Sequence, residues 1–382
     1  DCYLFHKLKA CGVVENTMYQ YLAKKAPFRV TAVTLLMLAG ISDISASGLT
    51  LAEAEQLALK NDHSLLAIKA RSESMSELSV AAGRLPDPQV KLGFANLPTD
   101  TFNFGQEAMT QAVIGIRQTF QRGQTRALTS ERINESVARN NAEAEDRQEK
   151  VLLAVREEFT RIYLHQKRRH ILEQSVLVFR DLAEITRDYY ATGRAHQQDV
   201  VQAQLELSRV EERLVRIGQQ EDEARARLAG WIDADAYREL DPDWPQLSQP
   251  QSEQEIIDKL LDHPRLRAWN HEITRSRKTE DIARQAYKPG FAVDLAYGSR
   301  SGQNLDGSNR SDMLSVFLTM DVPLFTKNRQ DRVLASSIAN TSATEFARDD
   351  IYRSMKAAVH EHSATLARQQ ERLALYEEYL LP

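Results

Sequence analysis

From Gln124 to Ala191 the chain runs 68 residues without a glycine or a proline. No other feature restricts the fold as much. Proline breaks a helix interior and glycine weakens it, and this stretch is rich in Ala, Leu, Glu, Gln and Arg, all good helix formers. As one helix it would be on the order of 100 Å long at ~1.5 Å per residue, several times the usual ~11–12 residues. Val155, Phe159, Ile162, Leu172, Val176, Phe179, Leu182 and Tyr189 recur at helical spacing, which gives it one apolar face suited to side-by-side helix packing. Thr192-Gly193-Arg194 ends it. A return helix is expected over 197–231, with Val200, Leu207, Val210, Leu214 and Ile217 on one face.

The chain also repeats itself. Asp62-His63 returns as Asp262-His263. Pro86 to Phe94 returns as Pro289 to Tyr297, with Val90 and Leu92 matched by Val293 and Leu295. Phe120-Gln121-Arg122-Gly123 returns as Phe325-Thr326-Lys327-Asn328. The order is kept and the offset stays between 200 and 205 residues, the sign of an internal duplication. Each copy predicts helix, strand, strand, helix. Repeat 1 covers 49–232, with helices at 51–83, 124–191 and 197–231 and strands at 89–97 and 112–120. Thr50 with Glu53 reads as a capping box for the first helix. Repeat 2 covers 254–382, with helices at 254–286 and 327–382 and strands at 291–298 and 313–322. Residues 233–253, rich in Asp, Pro, Ser and Gln, read as a linker. The first helix (about 33 residues) and the return helix (about 35) together match the long one, so two short helices end to end would lie beside it.

Composition narrows the function. Net charge is −5, without the basic excess of a nucleic-acid binder. Lys24, Lys25 and Arg29, the apolar run from Val30 to Gly40, and Ser45-Ala46-Ser47 read as a signal peptide over 24–47; residues 1–23 read as a leader or a wrongly placed start. The two cysteines, Cys2 and Cys11, lie upstream of it, so the exported chain is expected to have neither a disulfide nor a lipid-bearing cysteine. No run of 18 apolar residues exists that would serve as a membrane helix. The strands, however, have the length of tilted membrane strands. Four strands cannot close a barrel, and open edges are not tolerated in lipid; three chains would supply twelve. Two hairpins packed on a soluble core would alternate in the same way.

Tyr189-Tyr190-Ala191-Thr192-Gly193-Arg194, followed through Asp199-Val200 to Gln204, resembles the helix-tip signature of the TolC family of outer-membrane efflux proteins. Leu49 to Ala54 resembles that family's opening, and Asp262-His263-Pro264 the start of its second repeat. The resemblance covers about residues 49–382. It implies a mainly α fold with a small β part: a duplicated unit with long periplasmic hairpins and four strands per chain, in a homotrimer with a twelve-stranded barrel in the outer membrane of a Gram-negative bacterium. It implies the exit duct of a tripartite pump, passive and gated, working with a periplasmic adaptor and an inner-membrane transporter. Tyr190, Gly193, Arg194 and Asp199 are the candidate tip residues. Gly193 can take a positive φ and Asp199 suits the positive end of the return helix, although an ordinary helix hairpin needs the same two residues. By resemblance, Tyr190 and Arg194 would contact the adaptor.

No phosphate loop, nucleophile elbow or zinc-protease motif is present, and no catalytic residue, cofactor or metal is expected. His360-Glu361-His362 looks metal-like, but residues two apart diverge on a helix. A periplasmic adaptor or coiled-coil scaffold is the alternative; an adaptor would show one hairpin flanked by small β domains. The repeat alignment sets Pro382 opposite Leu177, so about 50 further residues of helix are expected beyond it; by the family resemblance, these would carry the gate.

Overall fold

The computed structural model describes residues 48–244 and 250–379. The signal peptide over 24–47 and the leader over 1–23 lie outside these residues. Gly48 onward forms one compact unit. Its elements are α1 (Leu51–Asn61), α2 (His63–Ala82), β1 (Gln89–Ala95), β2 (Gln111–Phe120), α3 (Thr125–Ala191), α4 (Gln197–Ile232), α5 (Glu253–Lys259), α6 (Pro264–Gln285), β3 (Gly290–Ser299), β4 (Met313–Asp321) and α7 (Gln330–Tyr379). The fold is mainly α with four antiparallel strands.

α3 is continuous over 67 residues and organises the rest. Its first half lies between α2 and α6. Ser72 of α2 donates to Asn141 at 2.6 Å, and from α6 Lys278 reaches Glu131 at 2.6 Å and Glu272 meets Arg139 at 3.0 Å. Its second half packs on α4, with Arg169–Glu221 at 2.8 Å and Arg180–Glu211 at 3.6 Å. Short helices thus lie along the two halves of one long helix.

The core sits where α1, the middle of α3 and the end of α4 meet. Val151, Val155, Phe159 and Ile162 from α3, Ala54 and Ala58 from α1, and Leu228 and Ile232 from α4 are buried there. Burying each of the Val, Leu, Ile and Phe side chains among them stabilises by ~1.5–3 kcal/mol. The apolar stripe of α3 is therefore closed at its centre. Toward the hairpin tip, Leu182 and Tyr189 remain exposed.

Three expectations are corrected. The helix predicted over 51–83 is two helices, broken at Asp62. The Asp62 side chain accepts from the Leu65 N–H and caps α2, and Arg147 grips the same carboxylate through Nε at 3.3 Å and Nη2 at 2.6 Å. Burial alone would raise this carboxyl's pKa; the Arg147 and Leu65 hydrogen bonds hold it below its ordinary value. The second copy breaks at the equivalent place. A 3-10 turn over Leu260–Asp262 separates α5 from α6, and Pro264 takes the first helical position, where its missing N–H costs nothing.

The capping box at α1 is only half made. Thr50 Oγ1 accepts from the Glu53 N–H at 3.2 Å, while the Glu53 carboxylate turns to Arg238 at 2.7 Å. Finally, the start of the stretch read as a linker is packed. Asp233–Tyr237 form a 3-10 turn, Ala236 and Leu240 join the core, and Leu240 makes a parallel bridge with Leu49. A Cβ on Gly48 would fall 2.5 Å from the Asp241 backbone nitrogen, so only glycine allows this approach.

Candidate functional site

Two regions carry functional geometry: the sheet and the α3–α4 tip. The sheet order is β1-β2-β3-β4, so β2 and β3 join the two repeats and β1 and β4 are edges. Paired residues in an antiparallel sheet share a face, and the register therefore sorts the side chains. Val90 pairs with Ile116 and Leu92 with Ile114. Ile116 meets Leu295 and Ile114 meets Tyr297. Leu295 meets Val316, Tyr297 meets Leu314 and Val293 meets Leu318. One face of all four strands is thus apolar, and each of these side chains is at least 38 % exposed. A contiguous apolar surface of this extent marks a membrane or an interface.

The other face is different in kind. The four strands contain four charged residues, Lys91, Arg117, Asp294 and Asp321, and the alternation puts all four on this face. Lys91 reaches Asp294 at 2.8 Å, and Arg117 lies 3.8 Å from the same carboxylate. At the helix end of the sheet, Asp321 meets Arg122 at 3.4 Å.

At the opposite end the two hairpin loops are tied together by arginines. Arg310 Nη1 donates to the carbonyls of Glu107 at 2.9 Å, Ser301 at 3.2 Å and Gly105 at 3.3 Å. Arg300 donates through Nη1 to the Ala108 carbonyl at 3.2 Å and through Nε to that of Ser311 at 2.6 Å. β1 stops at Asn96, which takes φ 54° and whose carbonyl accepts from Thr110 Oγ1 at 2.7 Å. Neither arginine nor the Lys91–Asp294 pair was singled out from sequence. The signal was available for the pair: Lys91 sits between Val90 and Leu92, and Asp294 between Val293 and Leu295, apolar neighbours of the opposite phase.

At the tip, Gly193 adopts φ +73°, and nothing lies within 4 Å of where its Cβ would be. The glycine is required by its backbone, not by space. The Arg194 N–H donates to the Tyr189 carbonyl at 2.7 Å and the Gly193 N–H to that of Tyr190 at 3.0 Å, which closes the end of α3. Asp199 accepts from the His196 N–H at 2.8 Å and so pins the first turn of α4. The turn brings Tyr190, Gly193, Arg194 and Asp199 to one end of the hairpin, and all four are exposed. Among the described residues no group of three or more His, Cys, Asp or Glu could hold a metal ion; His360 instead meets Glu253 of α5 at 2.8 Å.

Residues 54–232 match the family described as outer membrane efflux protein. No curated protein matches the chain significantly by sequence. Solved structures do match. CusC, from work on transmembrane channel formation, has a TM-score of 0.70 at 14% identity, covering 87% of this chain and 79% of that one. The outer membrane protein VceC from Vibrio cholerae has 0.66 at 17%, covering 86% and 81%. The CmeC outer membrane channel of Campylobacter jejuni has 0.64 at 12%, covering 92% and 84%. At such identities the structural likeness carries the fold, and the match over residues 54–232 makes that part of the chain similar to the outer membrane efflux proteins, a family whose role is that of an efflux duct.

Proposed function

We propose that the chain is one subunit of a homotrimeric, gated exit duct in the outer membrane of a Gram-negative bacterium, passing small molecules or ions passively. One observation carries this reading: a four-stranded sheet with an apolar outer face and two edges that no other strand among the described residues covers. The strands run 7 to 10 residues, close to the ~9–11 a tilted membrane strand needs. An open edge is not tolerated in lipid, and a four-stranded sheet is below the smallest membrane barrel of about eight strands. Joining the β4 edge of one chain to the β1 edge of the next, three times, removes every edge and yields twelve strands. The polar face then lines the bore, the arginine-tied loops face outside, and the α3–α4 hairpin points into the periplasm.

At that hairpin's end, Tyr190 and Arg194 are the side chains available to a periplasmic adaptor, through which an inner-membrane transporter supplies the energy. Gly193 and Asp199 hold the turn that presents them. The test is fractionation of cells expressing the full gene. The chain is expected in outer membranes as a trimer that survives detergent and dissociates on boiling, and its deletion should raise intracellular retention of a pump substrate. A soluble periplasmic monomer would sink the proposal.

A further inference from the structure

The polar face of the sheet is ordered row by row. Gln89, Arg117, Asp294 and Phe317 stand in register at one height, one per strand. The next row toward the loops is Lys91, Gly115, Ala296 and Ser315. Three of those four are small. Lys91 therefore has a clear path across β2, past a residue with no side chain, to Asp294 on β3 at 2.8 Å. Arg117 lies 3.8 Å from the same carboxylate and keeps 34% of its side chain exposed. Phe317 is 61% exposed and is the one aromatic residue on this face of the strands. Lys91, Gly115, Arg117, Asp294 and Phe317 together border a hollow of 310 Å³ in the wall.

The charges at this height do not cancel. Two cations face one carboxylate, and the only other charge in the strands, Asp321, is matched by Arg122 at the helix end. We infer that Lys91, Arg117 and Asp294 form a charge-selecting belt around the bore that favours anionic cargo, with Phe317 as an apolar contact beside it. The inference rests on the duct reading: three chains set three surplus positive charges at one level of a water-filled passage. Rings of Lys or Arg select anions in pores, and at ~0.1 M salt a fixed charge acts over about 10 Å.

A cross-strand brace would use the same three residues, so the test must separate sign from stability. The purified full chain is placed in a planar bilayer under a KCl gradient and its reversal potential is read. This quantity does not depend on how many channels are open. The wild type should prefer chloride. Arg117→Gln and Lys91→Gln each remove the surplus charge and should move the potential toward potassium. Asp294→Asn adds to the surplus and should move it further toward chloride, while Arg117→Lys should leave it in place. A brace would shift none of these, or all in one direction. A cation-selective wild type overturns the belt, as does movement of Asp294→Asn and Arg117→Gln the same way. Each variant counts only if it migrates as the wild-type oligomer; should Arg117→Gln fail to assemble, Lys91→Gln and Asp294→Asn carry opposite expectations by themselves. A wild type that never forms an outer-membrane oligomer, or never conducts, fails the duct reading instead, and the belt with it.

Discussion

Arg147 holds Asp62 by two hydrogen bonds, 3.3 and 2.6 Å, across 85 residues of sequence. The carboxylate is 4% exposed and also caps α2. Arg147→Ala leaves that charge buried without its partner, and loss of one member of a buried pair costs ~3–5 kcal/mol. Because Arg147 is itself 28% exposed, the lower end of that range is expected, read as a lowered melting temperature by circular dichroism. Arg147→Lys should recover only part, since a lysine cannot form the bidentate grip.

The same carboxylate makes stability depend on pH. Its pKa is lowered in the folded chain. A depressed carboxyl stabilises fully above its unfolded value, ordinarily 3.8, and the contribution is lost as pH falls through the lowered folded value. Acid melting curves should therefore show a component that Asp62→Asn abolishes. An unchanged acid slope in that variant would refute the assignment.

Phe159 is 2% exposed at the centre of the core. Phe159→Ala should cost about 3–5 kcal/mol. The loss should appear in thermal or denaturant unfolding, with the strand content unchanged, because the sheet is a separate surface.

Gly193→Ala forces a side chain into a left-handed backbone, a cost of about 1–2 kcal/mol, with no steric clash added. The effect should be local. Amide exchange should quicken over 188–199 while the global melting temperature barely moves. Gly193→Asn should be milder, since Asn tolerates this region.

α3 and α6 are joined by ion pairs, among them Lys278–Glu131 and Arg139–Glu272. Half of the Glu131 side chain is exposed, so this pair is weak. A double-mutant cycle on Lys278 and Glu131 should give a coupling of ~0.2–1 kcal/mol that shrinks at 1 M salt, where screening is nearly complete. Salt-independent coupling would exclude the electrostatic account.

The long helix and its turn were legible because helix ends are written locally: no Gly or Pro from 124 to 191, then Gly193. The strands were legible from alternation at Val90-Leu92-Phe94 and Phe291-Val293-Leu295. The break at Asp62 was not, since Asn61-Asp62-His63 contains no Gly or Pro, an Asp caps a helix in one place and sits within one in another, and the Arg147 that holds this carboxylate lies far along the chain. Nor was the packing of Ala236 and Leu240, because polar composition says nothing about a segment held by its partner Leu49. At the tip, the glycine's role was written in the local sequence. The charged cluster of the sheet needed register, which sets Lys91 one row from Asp294 although the two are 203 positions apart.

Among the described residues, β1 and β4 each have a single neighbour. A lone chain therefore displays two rows of unpaired amides and carbonyls, one along the outer side of each edge strand, beside an apolar surface, an arrangement prone to aggregation. In the proposed trimeric duct, its last folding step is not unimolecular. Maturation should slow as expression falls and should compete with disordered clumping as expression rises, so the cell has a window of dosage for this protein that an ordinary self-contained domain does not face.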